Sequence, residues 1–192
     1  MQVQKDDVRN KIIAAATEEF LNAGYQQSSM RNIAAQAGIT VANVYAYFGG
    51  KDALFESIIS PVWQSLNRLI SIPVDTQDLM TLPTLNQITD LITETFLENR
   101  PQFLILMNKS AGSPYKNARA ELSAMISGRL SRDILPQCDP LLADAMAGAI
   151  LEGIFTVFNH YGGDGSRLRT LISELLGLLL GSIPCKYPPK HE

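Results

Sequence analysis

The most specific pattern in the sequence is a run of hydroxyl, amide, basic and aromatic side chains between Ser29 and Lys51. Ser29 and Thr40 each directly precede a short stretch of helix-forming residues, and a serine or threonine at that position caps a helix through its hydroxyl. Gly38 separates the two stretches. Two short helices joined by a glycine-containing turn are typical of the helix-turn-helix, whose second helix enters the DNA major groove. The run therefore predicts contacts to phosphates and bases rather than catalysis.

Small and apolar residues in the same run are spaced so that the two short helices can pack together. Helices that cross steeply need small residues where their backbones approach and apolar residues on the facing sides. The small positions are Ala34 and Gly38, and the apolar ones are Ile33, Ala37, Ile39, Val44 and Tyr47 or Phe48. We expect most of these side chains to form core and turn.

A longer helix is predicted before this pair. Its apolar face repeats at steps of four residues: Val8, Ile12, Ala16 and Phe20. Gly24 is expected to end this helix, and Ser28 or Ser29 to cap the next one. After the pair, Gly49-Gly50 predicts a turn before a fourth helix from about Lys51.

The ten prolines divide the rest of the chain. Proline suits the first turn of a helix but not its interior, so the proline-free stretches before Pro61 and between Pro140 and Pro184 are expected to be helical. Ser60-Pro61 is expected to kink or restart the fourth helix. Ser113-Pro114 and Asp139-Pro140 each pair a capping residue with a proline and predict the start of a long helix.

The sequence contains no run of alternating β-branched residues that would predict a strand. We expect a loop at 71–83, helices at 84–98 and 101–111, and a turn at 162–165. The predicted fold class is therefore all-α, with about nine helices: a three-helix helix-turn-helix domain at 1–55 and a second helical domain at 56–192.

Composition excludes several classes of protein. Sixteen basic and nineteen acidic side chains give a net charge of −3, so binding to nucleic acid by bulk charge is not expected. Two cysteines without a neighbouring histidine cluster predict no disulfide scaffold and no metal site. No nucleophile, phosphate-loop or metalloprotease motif is present, so we expect no enzyme and no cofactor. No export signal and no uncharged apolar stretch of membrane-spanning length is visible, and we expect a cytoplasmic protein.

The sequence around this run resembles the TetR family of transcriptional regulators. The stretch 33–40 fits the family pattern IA-x-x-AG-[VI]-[ST], and 45–54 fits Y-x-[YH]-F-x-x-K-[DE]-x-L. Residues of the first predicted helix also match the family: Ile12, Ala15, Ala16, Phe20, Gly24 and Tyr25. The close resemblance covers about residues 8–58.

The resemblance implies a role for nine residues in DNA binding. Phosphate contacts are implied for Ser29, Thr40, Tyr47 and Lys51. Base contacts are implied for Val41, Ala42, Asn43 and Tyr45, and Arg31 matches a position that reads guanine or holds phosphate. Thr40 is a helix cap first, and Tyr45 has surface packing as its alternative role.

Two features of this chain differ from the family pattern: the residue at position 41 and the charge of the N-terminal arm. Many relatives carry lysine or arginine where this chain has Val41. Together with Ala42 and Asn43, this valine favours contacts to thymine methyl groups and to adenine, and predicts A·T pairs under the turn. The N-terminal arm contains Asp6-Asp7, so a basic arm in the minor groove is not expected.

The last two long helices predict a homodimer. From residue 140 to residue 161 the only charged side chains are Asp144 and Glu152, and between Arg169 and Cys185 only Glu174 is charged. Helices that are apolar nearly all round have to be buried, which a two-fold four-helix bundle with a second copy achieves. The resemblance implies the same interface.

By analogy with the family, the middle helices are expected to enclose a pocket for a small hydrophobic or amphipathic effector. The candidates are Trp63, Met80, Phe96, Phe103, Met107, Asn108, Tyr115, Phe155 and Asn159. Each has core packing as its alternative role. Glu152 is expected to pair across the dimer or to bind a cationic ligand.

The resulting hypothesis is a repressor that a small-molecule ligand releases from a palindromic operator. A DNA-binding dimer without a ligand, and an activator, are the alternatives.

Overall fold

The computed structural model describes residues 2–73, 82–134, 136 and 139–181. Within these ranges the chain forms nine α-helices and one π-helical turn, and no strand. The all-α prediction is therefore confirmed. The helices are α1 (Gln2–Gln27), α2 (Met30–Ala37), α3 (Val41–Tyr47), α4 (Lys51–Ser71), α5 (Leu82–Glu98), α6 (Arg100–Asn108), α7 (Ala118–Arg129), α8 (Pro140–Asn159) and α9 (Gly165–Gly181), and the π-helical turn is Leu130–Ile134.

The chain divides into two compact units. The first comprises Met1–Ser65 and Asn99–Ala118, and thus α1–α3, most of α4, and α6. Its core is aromatic and aliphatic, with Ile12, Phe20 and Phe55 fully buried. The rings of Phe20 and Phe55 meet edge to face, with their centroids 4.9 Å apart. This core fixes the orientation of α1 relative to the start of α4.

The second unit comprises Leu66–Glu98 and Arg119–Glu192. Here α9 packs against both α5 and α8. Gly153 of α8 allows a close approach to α9, because a Cβ atom at this position would lie 2.7 Å from Leu175 Cδ2. The rings of Phe96 and Phe158 stack with their centroids 3.7 Å apart. The division at Ser65 differs from the sequence-based boundary at residue 55, which stays a prediction.

Most predicted helix ends are confirmed. Gly24 leaves the helical conformation with φ 75°, and Gly38 ends α2 with φ 68°. Both values lie in the left-handed region that glycine adopts without strain. Asp139 caps α8 by accepting the Leu141 N–H at 2.9 Å. Pro61, in contrast, lies inside a continuous α4 and starts no new helix.

The predicted helix start at Ser113-Pro114 is wrong. The Ser113 hydroxyl accepts the N–H of Tyr115 at 3.0 Å, and the Ser113 carbonyl accepts that of Lys116 at 3.2 Å. These bonds make a succession of turns, and α7 begins only at Ala118. Serine stabilises a turn as readily as a helix start, which explains the error. Of the predicted loop at 71–83, residues 74–81 lie outside the described residues, as does Met80.

Helix α8 is long and apolar enough to cross a membrane by length and composition alone. Its 18-residue window has a mean hydropathy of 1.7 although it contains Asp144 and Glu152, and 33% of that window is buried. The core helix of a soluble protein passes the same test. The sequence argument considered only uncharged stretches and therefore did not detect this helix.

Candidate nucleic-acid interface

Helices α2 and α3 form a helix-turn-helix with two capped N-termini. The Ser29 hydroxyl oxygen accepts the N–H of Asn32 at 3.1 Å, and the Thr40 hydroxyl oxygen accepts that of Asn43 at 3.2 Å. Both hydroxyl groups keep their own hydrogen for a further acceptor. Of the two predicted caps for α2, Ser29 is the one observed, because the Ser28 hydroxyl donates to the Tyr25 carbonyl instead.

Helix α3 presents nearly all of its side chains outward. Val44 is fully buried and anchors the helix, whereas Val41 is 36% and Tyr45 51% exposed. Ala42 and Asn43 are exposed beside them, and Tyr47 is half-buried. A seven-residue helix with a single buried residue is held by its neighbours and leaves a free face. The predicted base-contacting residues therefore lie on one accessible surface.

Lys51, the first residue of α4, is held by the end of α1. Its Nζ donates to the carbonyl oxygens of Tyr25 at 2.7 Å and Ser28 at 3.0 Å, and lies 4.4 Å from the centroid of the Tyr25 ring. Partial burial lowers the pKa of this ammonium below its usual value. An ammonium has three N–H groups, so one remains for another acceptor. The sequence placed Lys51 at this helix start but did not reveal its carbonyl contacts.

A buried carboxylate joins α1 to α2. Glu19 is 5% exposed, and its Oε1 accepts from the Ser29 backbone N–H at 3.3 Å and from Asn32 Nδ2 at 2.9 Å. Its Oε2 accepts from Gln36 Nε2 at 3.1 Å. Burying a charge requires such partners, and three amide donors supply them here. The sequence analysis assigned no role to Glu19, because its partners lie on a different helix.

Arg9 is a second residue that sequence reasoning missed. Its guanidinium is exposed and lies over the ring of Phe48, 5.3 Å from the centroid, directly after α3. Arg31 on α2 is also exposed. The sequence did contain one indication for Arg9. It follows Val8, a residue of the apolar face of α1, and the next residue along a helix points away from that face.

The residues predicted to line an effector pocket are divided between the two units. The first unit contains Trp63, Phe103, Met107, Asn108 and Tyr115, and the second contains Phe96, Phe155 and Asn159. In the first, the rings of Trp63 and Tyr115 are in contact, with their centroids 6.0 Å apart. Phe103, Met107, Phe96 and Phe155 are buried, as core residues are. That these residues line a pocket stays a prediction.

Glu152 has a partner within the chain. Its Oε1 accepts from Arg119 Nε at 2.7 Å, and the guanidinium also lies over the Phe155 ring, 4.3 Å from its centroid. Both charged side chains are about half exposed. The sequence did not reveal this partner within the chain, and the expected pairing across a dimer or with a cationic ligand stays a prediction.

A cavity of about 720 Å³ lies within the second unit, and none of the predicted pocket residues lines it. Its walls come from the end of α4, from α7 and from the π-helical turn. The lining residues are Ile70, Ser71, Pro73, Ala124, Met125, Gly128, Arg129, Arg132 and Asp133. No cluster of three or more metal-ligating side chains occurs among the residues that the structure describes.

Comparison with known proteins supports the interpretation of α1–α4. Residues 12–58 match the sequence profile of the family described as "Bacterial regulatory proteins, tetR family". Over these residues the chain is similar to the TetR family. This confirms the resemblance seen in the sequence. It also agrees, at the level of the family, with the expectation of a regulator rather than an enzyme.

Two curated relatives each match part of the chain. The HTH-type transcriptional repressor SCO4008 of Streptomyces coelicolor is 36% identical over 69 residues, which are 36% of this chain and 35% of that protein. The probable HTH-type transcriptional regulator YttP of Bacillus subtilis is 28% identical over 88 residues, 46% of this chain and 42% of that protein. The matched region thus spans about two fifths of either relative.

A solved structure shares the whole fold. A TetR-family transcriptional regulator from Bordetella parapertussis superposes with a TM-score of 0.70 over 90% of this chain and 94% of that one, at 21% identity. At this identity the agreement establishes the fold, including the helices after α4, and nothing about ligand or operator.

Proposed function

We propose that this protein is a sequence-specific DNA-binding transcriptional regulator, and most specifically a repressor. The observation that carries the proposal is the exposed face of α3, with a capped N-terminus and one buried anchor at Val44. A short helix held this way can enter a major groove without disturbing its own packing. The curated relative SCO4008, which is 36% identical over 69 residues, is a repressor by name.

The proposed phosphate contacts surround this helix. In both helix caps the hydroxyl oxygen is the acceptor. The hydroxyl hydrogens of Ser29 and Thr40 are therefore free to donate to a phosphate. Lys51 offers its third N–H, in a position fixed by two carbonyl groups. Tyr47 contributes its hydroxyl from the last residue of α3. Such contacts set the position of the protein on DNA and carry no sequence information.

Two exposed guanidinium groups complete the proposed phosphate-binding surface. Arg31 lies on α2, and Arg9 lies beside the end of α3 over Phe48. Stacking on the ring limits the rotamers of Arg9 and leaves its N–H groups at the ring edge. We include Arg9 because it adds a positive charge close to the recognition helix.

Base reading is assigned to Val41, Ala42, Asn43 and Tyr45. Small apolar side chains fit the thymine methyl group, and an asparagine pairs with the N6 and N7 atoms of adenine. We therefore expect A·T pairs beneath the first turn of α3.

A palindromic operator requires two copies of the reading helix, and α8 with α9 provides a surface for a second chain. Leu141 and Leu178 are each 74% exposed, and Leu171 is 38% exposed. Large apolar side chains exposed on two adjacent helices are typical of a protein interface. An isologous four-helix bundle would cover them and set two reading helices about one or more turns of DNA apart.

Selection of bound DNA from random duplexes, at a stated salt concentration, tests this proposal. The expected result is a palindromic motif with A·T pairs under Val41–Asn43. Val41→Arg provides a matched variant and is expected to shift the preference at one position of each half-site towards G·C. A folded dimer that enriches no motif would contradict the DNA-binding proposal, and invariant G·C pairs under α3 would contradict the assigned base contacts.

Regulation by a small-molecule effector is the second part of the proposal. A ligand lowers DNA affinity only if it binds more tightly to a conformation in which the two reading helices are wrongly spaced. Two alternatives remain. A dimer that responds to no ligand is recognised by adding ligands to the protein–DNA complex, and an activator is recognised by the position of its operator relative to the promoter.

A further inference from the structure

The cavity in the second unit contains two arginines in very different surroundings. Arg129 is fully engaged: its Nη atoms donate to the carbonyl oxygens of Ile70 and Ile72, and its Nε lies 3.9 Å from Asp133 Oδ2. These bonds satisfy the otherwise free carbonyl groups at the end of α4. Arg129 is therefore part of the framework of the cavity.

Arg132 has no hydrogen-bond or ion-pair partner among the described residues. It is exposed and belongs to the cavity lining. The other charged residues of the lining are Arg129 and Asp133, and Asp133 lies close to Arg129. The three side chains leave a net positive charge with one uncommitted guanidinium.

Gly128 provides the space in which this guanidinium lies. A Cβ atom at this position would lie 3.0 Å from Arg132 Nη1, closer than ordinary packing allows. Helix α7 thus carries a glycine, the poorest helix former after proline, at the point where Arg132 lies against it. Because residue 128 has no side chain, the guanidinium of Arg132 has room to lie against α7.

We propose that this cavity binds a small amphipathic carboxylate, with its head group on Arg132 and its apolar body against Ile70, Pro73 and Met125. A guanidinium binds a carboxylate through two parallel N–H bonds, which fixes the orientation of the ligand. The volume of about 720 Å³ falls in the range of pockets for small organic molecules. This assigns a ligand class to the effector; only the link to DNA release rests on the proposed function.

Calorimetric titration of the full-length protein at pH 7.5 tests the assignment, with octanoate, octylammonium and octan-1-ol as probes of equal chain length. Octanoate is expected to bind and the other two probes to bind at least about tenfold more weakly, because only the carboxylate forms charge-assisted bonds. No binding of octanoate, or equal binding of octanol, overturns the proposal.

Matched variants separate the site from non-specific binding. Arg132→Gln is expected to weaken octanoate binding about tenfold and Arg132→Lys to weaken it less, since lysine keeps the charge but loses the bidentate geometry. Arg167→Gln removes an exposed arginine of the same unit and is expected to bind octanoate like the wild type. Equal loss in Arg132→Gln and Arg167→Gln would overturn the proposal, and thermal melting of each variant verifies folding.

The regulatory link is measured separately, on the complex with the selected operator. Octanoate is expected to lower operator affinity in the wild type and not in Arg132→Gln. Binding of octanoate without any change in operator affinity would leave the carboxylate site standing and contradict its role as the effector site. Absence of operator binding in the ligand-free protein would contradict the proposed function instead.

Discussion

Replacing Lys51 with methionine separates two roles that this residue has in the proposed function. Methionine keeps the length and apolar character of the side chain but removes the ammonium. In the structure that ammonium donates to the Tyr25 and Ser28 carbonyl groups and lies over the Tyr25 ring. We expect the variant to lose both conformational stability and one phosphate contact.

The expected loss of stability follows from the partners that remain. The Tyr25 carbonyl keeps a donor, the Ser28 hydroxyl at 2.7 Å. Among the described residues no other donor replaces the ammonium at the Ser28 carbonyl. A hydrogen bond to a charged group contributes about 1.5–3 kcal/mol, and an exposed cation–ring contact about 0.5–1 kcal/mol. The desolvation that lowers the pKa of Lys51 opposes both. We therefore expect a loss of about 2 kcal/mol, or about 4–8 °C in Tm.

The assays are denaturant unfolding and operator binding over a range of salt concentrations. Loss of one phosphate contact reduces the slope of log affinity against log salt by about 0.9. Lys11→Met, an exposed lysine of α1, is the matched control and is expected to change neither quantity appreciably. Unchanged stability in the Lys51 variant would refute the argument from the carbonyl contacts. An unchanged salt slope would refute the phosphate contact.

Further predictions concern other contacts. Arg9→Gln is expected to reduce the salt slope by about 0.9 without changing the selected motif, and a changed motif would contradict a pure phosphate contact. Glu19→Met leaves three amide donors without their carboxylate, and we expect unfolding in urea to show a loss of about 2–4 kcal/mol; a smaller loss from Glu19→Gln would confirm that hydrogen bonding matters more than charge. Burial and the hydrogen bond to Glu56 raise the pKa of Tyr115 to about 12. Its contribution to stability is therefore complete below about pH 10 and lost as the pH rises through 12, and absorbance titration of Tyr115→Phe should lack an ionisation near pH 12 that the wild type shows. Leu178→Glu places a charge on the exposed face of α9 and is expected to give a monomer in sedimentation, whereas a stable dimer would contradict the proposed interface.

The helix-turn-helix could be predicted in detail because its signals are local. Caps at Ser29 and Thr40 and the turn at Gly38 each depend on a few neighbouring residues, and the structure confirms all three. Ser113-Pro114 carries an equally local signal, but serine and proline also stabilise turns, so composition alone does not decide between the two outcomes. Gly112, with φ 80°, lies directly before it and favours the turn.

Contacts between distant segments were beyond prediction for a different reason. The bonds from Glu19 to α2 join residues 10–17 positions apart, and Arg129 reaches carbonyl groups 57 and 59 positions away. Their partners are determined by packing, which a single sequence does not reveal. The cavity belongs to this class, since its walls combine residues 70–73 with residues 124–133.

The charge of the proposed DNA-binding surface shows how contacts that the sequence does not reveal affect function. Residues 1–55 contain five basic and five acidic side chains, which alone predicts a neutral DNA-binding domain. The structure shows that two of the acids are committed internally: Glu19 is buried against three amide donors, and Asp52 accepts the Tyr25 hydroxyl. Of the bases only Lys51 is engaged with the protein's own carbonyls, and it retains a free N–H. The dipoles of the donors to Glu19 and Asp52 partly offset the field of these two carboxylates, so the potential around α3 is more positive than the count of charges implies.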